Sequence, residues 1–171
     1  MSATTAVPLH PLLAARRSPR AFDPEPLTDR QVAALLEAAR WAPSAMNAQP
    51  WQFVVGRHGD PAHKALFDAL AHGNQVWAAS APLLVLALAR TTSADGSPRP
   101  TAPYELGLAV AQLVLQAQAD GLVAHQMGGF DAGLAAADLG VPAGWEPLVV
   151  VAVGRPGDVR ALPDRLDLDI A

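Results

Sequence analysis

The 171-residue sequence contains no cysteine, which removes disulfides, thiolate metal sites, iron–sulfur clusters and thiol nucleophiles together. That absence fits a reducing cytoplasm, which is the location expected. Aromatic residues are scarce, 5% of the chain against a hydrophobic fraction of 51%, with a single tyrosine. Alanine, leucine and valine must therefore fill the interior, a helix-rich composition with little of what all-β chains favour. Basic charge is in deficit: 12 Lys and Arg against 16 Asp and Glu leave a net −4. This argues against a nucleic-acid or anionic-membrane binder and leaves room for a local basic pocket. Long apolar runs are missing too. The longest, Ala81–Ala89, falls far short of the ~20 residues of a spanning helix and reads as a buried strand. Met1–Pro8 lacks the basic start and apolar run of a signal peptide. No membrane partner and no metal are expected, and His58 and His63, five apart without an acidic partner in a ligand pattern, are assigned to the surface.

What remains alternates between helical and strand patterns. A short helix is expected at Pro8–Ala15, and Pro24 and Pro26 hold an extended connector. Thr28 with Gln31 is a capping-box signature, and Val32, Leu35, Leu36 and Ala39 behind it recur at helical spacing to about Trp41, where Pro43 stops the helix. Asn47 to Pro50 reads as a turn and Trp51–Val55 as a strand ended by Gly56. Pro61–Ala71 reads as a helix, with Gly73-Asn74 marking a break. Leu83–Leu88, apolar on both faces, is expected at the centre of a sheet. The Ser-, Thr-, Pro- and Gly-rich stretch Thr91–Pro103 is the strongest loop candidate and is expected to be mobile. Tyr104–Ala119 follows as a long, buried helix, then a strand at Leu122–His125, a short helix at Asp131–Leu139 and a strand at Leu148–Val153. No repeat or linker divides the chain, so residues 1–171 read as one domain. The non-repeating order indicates an α+β fold or a mixed sheet rather than a doubly wound one.

Three features carry chemistry. Arg16, Arg17 and Arg20 surround Ser18, and the arginine fork suits a phosphate dianion, with the hydroxyl completing the shell. Taken alone, the cluster reads slightly better as a solvated basic turn. Pro43-Ser44-Ala45-Met46-Asn47-Ala48-Gln49-Pro50-Trp51 is a tight polar loop able to present backbone and amide groups to a flat heteroaromatic ligand. It also reads as an ordinary helix-to-strand connection. Gly128-Gly129, after a strand, let backbone approach a ligand plane or simply make the turn.

Together and in order, Arg16-Arg17-Ser18-Pro19-Arg20, Pro43-Ser44 through Asn47-x-Gln49-Pro50-Trp51, and Gly129-Phe130-Asp131 closely resemble the nitroreductase family of FMN enzymes, over about residues 10 to 154. The resemblance implies an α+β fold with a central mixed or antiparallel sheet flanked by helices, and an intertwined homodimer with two FMN sites at its interface. It implies that Arg16, Arg17, Ser18 and Arg20 of one subunit hold the ribityl phosphate and one flavin edge. Pro43, Ser44, Ala45 and Asn47 would come from the other subunit. Asn74 and Gln75 fall where the family contacts the polar end of the ring, Gly128 and Gly129 where backbone passes the flavin, and Arg165 where the tail returns to the phosphate. The implied activity is hydride transfer from NADH or NADPH to a small oxidised acceptor, such as a nitroaromatic or quinone, by a ping-pong mechanism. No catalytic side chain is required, because the flavin carries the redox chemistry. The alternatives are a specialised flavin reaction such as dehalogenation, azoline oxidation or flavin fragmentation, and a flavin-binding or sensing module without appreciable NAD(P)H turnover.

The chain departs from its relatives in three places. Trp77 stands where many carry lysine, and Asp164 where the tail often has lysine. The chain is short in Thr91–Pro103, where relatives often insert a helical excursion over the active site. A shortened lid leaves the flavin's outer face more open, so a broad or bulky acceptor range is expected. Turnover of one small acceptor with quinones and nitroaromatics inert would contradict it.

Overall fold

The computed structural model describes residues 6–93 and 95–162. The helices are α1 (Pro11–Ala15), α2 (Asp29–Arg40), α3 (Pro61–Ala69), α4 (His72–Ala78), α5 (Ala102–Ala119) and α6 (Ala132–Asp138). The strands are β1 (Phe22–Asp23), β2 (Trp51–Arg57), β3 (Leu83–Arg90), β4 (Val123–Met127) and β5 (Trp145–Pro156). Among the described residues every strand pairing is antiparallel: β3 lies between β2 and β5, β4 adds to β5, and β1 pairs with the end of β5 at Phe22↔Pro156. The mixed sheet left open by the sequence is therefore resolved in favour of an antiparallel one.

The apolar run reads as a central strand because it is one. All seven residues Leu83–Ala89 are buried. Since side chains alternate across a strand, they serve two cores. Leu83, Val85, Ala87 and Ala89 join Leu35, Ala39, Leu106, Val110 and Leu113 under α2 and α5. Leu84, Leu86 and Leu88 join Leu66, Trp77, Ala135 and Val150 under α3, α4 and α6. The result is three layers, helices on both sides of one sheet. At about 1.5–3 kcal/mol for each buried large aliphatic, these two clusters are the principal favourable term in folding.

Local signals explain the boundaries. Thr28 caps α2 as a full capping box: Gln31 N donates to Thr28 Oγ1 at 3.2 Å and Thr28 N to Gln31 Oε1 at 3.0 Å. Asp131 caps α6 by accepting from Leu134 N at 2.9 Å. The loop after β3 closes on itself: Arg99 N donates to Thr91 O at 2.7 Å, Ser93 N to Ser97 O at 2.8 Å, and Arg99 Nε to Ser93 Oγ at 2.8 Å. Between β3 and β5 the register shifts at Ala87/Leu88, where Val149 and then Pro147 are the partners and Leu148 is left over. This bulge accommodates a proline inside a strand, where it has no N–H to give.

Four expectations are corrected. Helix α1 is five residues, beginning at Pro11 in the first-turn position where proline is tolerated. The break falls at Leu70-Ala71, and Gly73-Asn74 lies inside α4. Strand β1 carried no periodicity, being two residues long. Gly56 does not end β2. It sits inside the strand because the first turn of α3 rests on it, and an added Cβ would lie 2.5 Å from the His63 backbone N. His63, assigned to the surface, is buried (6% exposed), with Nε2 3.2 Å from Ala81 O; His58 is exposed and packs edge-on against it. Burial holds the His63 imidazole below its ordinary pKa, so it stays neutral inside the fold. Gly56→Ala is expected to destabilise the protein by about 1–3 kcal/mol, because the contact it meets is backbone and cannot rotate away. Urea denaturation would read this as a lowered midpoint with an unchanged slope.

Candidate functional site

The arginine segment leaves α1, which packs on α5, and runs past β4 to β1. Inside it, Arg16 Nη1 donates to Ser18 Oγ at 3.2 Å, and Arg17 Nη1 to the carbonyls of Ala14 and Arg16 at 2.8 and 2.7 Å. Arg20 is half-buried, and its Nε has no hydrogen-bond partner among the described residues. A buried guanidinium donor without an acceptor is rare in native structures and calls for one. An anionic or acceptor-bearing group beside Arg20 would supply it.

Asn74 and the Gly128-Gly129 turn are brought together. Asn74 Nδ2 donates to Gly129 O at 2.9 Å, and Ala71 N donates to the same oxygen at 2.9 Å. Leu70 and Phe130 form an isolated antiparallel bridge beside them. A Cβ on Gly129 would touch Asn74 Nδ2 at 3.1 Å, so packing explains that glycine. Gly128 has no such reason: its backbone φ is unexceptional and an added Cβ would meet nothing within 4 Å. Gly128 is exposed, and the space over its backbone is open. Gln75 is placed differently. Its side-chain amide donates to the carbonyls of Phe67 and Asp68 at 3.1 and 3.3 Å and so caps the end of α3.

The loop Pro43–Gln49 forms a second group. Ser44 Oγ accepts from Gln49 N at 3.0 Å, and Asn47 Oδ1 accepts from Gln49 Nε2 at 3.1 Å. Met46, Asn47 and Gln49 all have φ near +50°, a left-handed conformation that is costly for non-glycine residues and often stored at functional sites. Met46 is 98% exposed. Glu105, in the first turn of α5 and only 5% exposed, reaches Ala45 N at 3.4 Å. It shares with Ala45, Ala48, Arg99 and Thr101 a cleft of about 220 Å³.

None of the hydrogen bonds among the described residues joins the two groups. The arginine segment starts from α1 on the α5 side and ends at Phe22, which belongs with Trp77 to the core under α3 and α4, whereas Ala42 belongs to the core under α2 and α5. Within one subunit the two groups are separate. Arg165 and Asp164 lie outside the described residues. A cleft of about 480 Å³ at Phe22, Trp77, Ser80, Asp158 and Leu162 contains none of the expected site residues.

Three residues packed against these groups were not picked out by sequence reasoning. His125 Nδ1 lies 3.0 Å from Pro19 O, and the ring of Trp77 is 4.4 Å from that of His125. A lone histidine in a short strand offered no signal. Trp77, noted only as a replaced lysine, is a buried core residue at 3% exposure. The buried Glu105 had no signal either, since one glutamate in an apolar helix reads as solvated.

The chain's residues 13–155 match the nitroreductase family model. A provisionally named NADH dehydrogenase/NAD(P)H nitroreductase of Rhodopseudomonas palustris is 32% identical over 151 residues, 77% of this chain and 76% of its own. A 5,6-dimethylbenzimidazole synthase of Rhodospirillum rubrum is 29% identical, over 87% of this chain and 82% of its own. A solved structure described as an oxidoreductase containing FMN superposes with a TM-score of 0.91 at 36% identity, over 96% of this chain and 85% of that one. Glu105→Ala is expected to lose about 1–3 kcal/mol of stability, by stripping Ala45 of its acceptor and emptying a buried position. Glu105→Gln, which keeps an oxygen there, should lose clearly less in the same urea titration.

Proposed function

The chain belongs to the nitroreductase family, and from that premise we propose that it binds FMN between two copies of itself and works as an NAD(P)H-dependent oxidoreductase. The observation that carries this reading is Arg20 Nε, buried without a partner among the described residues in a segment that also holds Arg16, Arg17 and Ser18; the backbone turn left open at Gly128 adds to it. Bound FMN would supply the redox chemistry, accepting hydride from NADH or NADPH and passing it to a small oxidised acceptor.

The residues divide the work of holding it. Arg16, Arg17 and Arg20 with the Ser18 hydroxyl take the phosphate, where permanent charge and fixed donors suit a dianion. Asn74 already donates one amide hydrogen to Gly129 O, which fixes its orientation with the remaining amide atoms free to meet the polar end of the ring. Gly128 lets backbone lie against the ring plane. Pro43, Ser44, Ala45 and Asn47 come from the second copy, whose strained loop offers backbone donors at fixed positions. Arg165 completes the phosphate shell in this reading, and Gln75, engaged with α3, supports the helix that carries Asn74.

The surface of α5 supports a second copy. Glu105 is the helix's single charged residue and it is buried, so the exposed side presents Tyr104, Gly107 and Ala111 without one charge. Gly107 lies mid-helix with nothing near its missing Cβ, a position that costs about 0.5–1 kcal/mol relative to alanine unless another backbone comes close. An uncharged helical face of this kind is what a partner covers.

The relative named 5,6-dimethylbenzimidazole synthase favours a second reading, a specialised flavin reaction in place of acceptor reduction. One experiment bears on both. The purified protein is expected to be yellow and to release about one equivalent of FMN per chain on heating, to be bleached by NADH or NADPH without oxygen, and to regain its colour on adding a quinone. A colourless protein that FMN does not restore would end the flavin reading. Recovery of FMN converted to other products after turnover would move the assignment to the specialised reaction.

A further inference from the structure

The segment Pro19–Phe22 is fixed at two points on either side of Arg20. Upstream, Pro19 O is 3.0 Å from His125 Nδ1. Downstream, the Phe22 ring stacks on Trp77, with centroids 6.1 Å apart and planes 20° from parallel. Both anchors meet in one place, because the Trp77 ring also lies 4.4 Å from the His125 ring. A ring from α4 and a ring from β4 thus form one platform, and the chain crosses it with Arg20 in between.

The chemistry of His125 suits this task. Pro19 O can only accept, so Nδ1 must carry the hydrogen, which fixes the tautomer. Burial and the neighbouring Arg20 charge hold the imidazole below its ordinary pKa, against the opposing pull of the Pro19 carbonyl. The ring is therefore a neutral donor, adding no charge beside three arginines. The Ser18 backbone faces the ring as well and pulls the same way as the Pro19 carbonyl, while Trp77 from α4 and the cross-strand Ala152 of β5 are apolar neighbours. Nothing in this arrangement places His125 at a reacting atom. It holds backbone.

We propose that His125, braced by Trp77, is a positioning residue that sets the arginine segment for its phosphate, and so determines how strongly the protein prefers FMN to riboflavin. The inference rests on the FMN reading above, and it assigns part of that preference to a side chain that touches no ligand. Losing the Pro19 hydrogen bond frees the arginines to spread, which weakens the grip on a phosphate and leaves contacts with the ring unchanged.

The test uses the full chain stripped of flavin, titrated with FMN and with riboflavin by quenching of flavin fluorescence. His125→Phe keeps a ring on Trp77 and removes the donor. His125→Asn carries an amide donor close to the position of Nδ1. FMN affinity is expected to fall about five- to tenfold in His125→Phe, the worth of one hydrogen bond, with riboflavin affinity unchanged. His125→Asn should recover FMN binding to within about twofold. Equal weakening of FMN and riboflavin, or an unchanged ratio of the two affinities, would overturn the inference and make His125 a packing residue only. Absence of FMN binding by the unaltered protein would remove the flavin reading, and this inference with it, before any variant is compared. Should His125→Phe not fold, His125→Leu makes the same comparison.

Discussion

The burial of β3 on both faces is the constraint from which the rest of the molecule follows. A strand with one wet face needs helices on one side only, whereas Leu83–Ala89 must be covered twice. The odd positions require α2 and α5, and the even positions require α3, α4 and α6. Strands β2 and β5 are then obliged to flank it, because its backbone groups have no water to turn to. With both partners antiparallel, the chain ends of neighbouring strands fall alternately at the two ends of the sheet, and the loops that carry polar residues are distributed accordingly.

That distribution separates the two halves of the candidate site. The arginine segment is pinned through Phe22, Trp77 and His125 on the α4 side, and the strained loop after α2 is pinned through Glu105 on the α5 side. In the proposed reading a symmetry-related copy brings the loop after α2 of one subunit to the arginine segment of the other, an exchange that a two-fold axis makes reciprocal. In the proposed reading the second copy is therefore part of the site's chemistry. The uncharged side of α5 is consistent with that role.

Much of this was legible in the sequence, for reasons that differ from one element to another. The capping box at Thr28 and Gln31 is local, a reciprocal pair closed within four residues, and it forms where its letters stand. Strand β3 was legible because continuous apolarity bounded by turn residues has few other uses. The arginine cluster and the Ser44-to-Trp51 loop were legible as motifs, yet their separation within one subunit was not, because that depends on pairing between distant strands. Gly56 and His63 were misread for one shared reason: the contact between them joins a strand to the next helix, and neither residue's own neighbours in sequence reveal it. His125 and Trp77 were invisible as a pair, being 48 positions apart with their rings in contact. Gln75 was placed by resemblance at the ring's polar end, whereas local geometry turns its amide to the end of α3.

The bulge opposite Ala87 and Leu88 has a consequence for how this chain can vary. A strand apolar on both faces carries no polar signal against slipping along its neighbour, since a shift by one residue exchanges one greasy face for another. Pro147 supplies the missing mark. Lacking an N–H, it fits only where the ladder asks for none, and the leftover Leu148 fixes the count between it and Val153. Insertions and deletions should thus be tolerated in the connections on either side of β5 and purged between Pro147 and Val153, where a single added residue would put the whole strand out of phase with both cores at once.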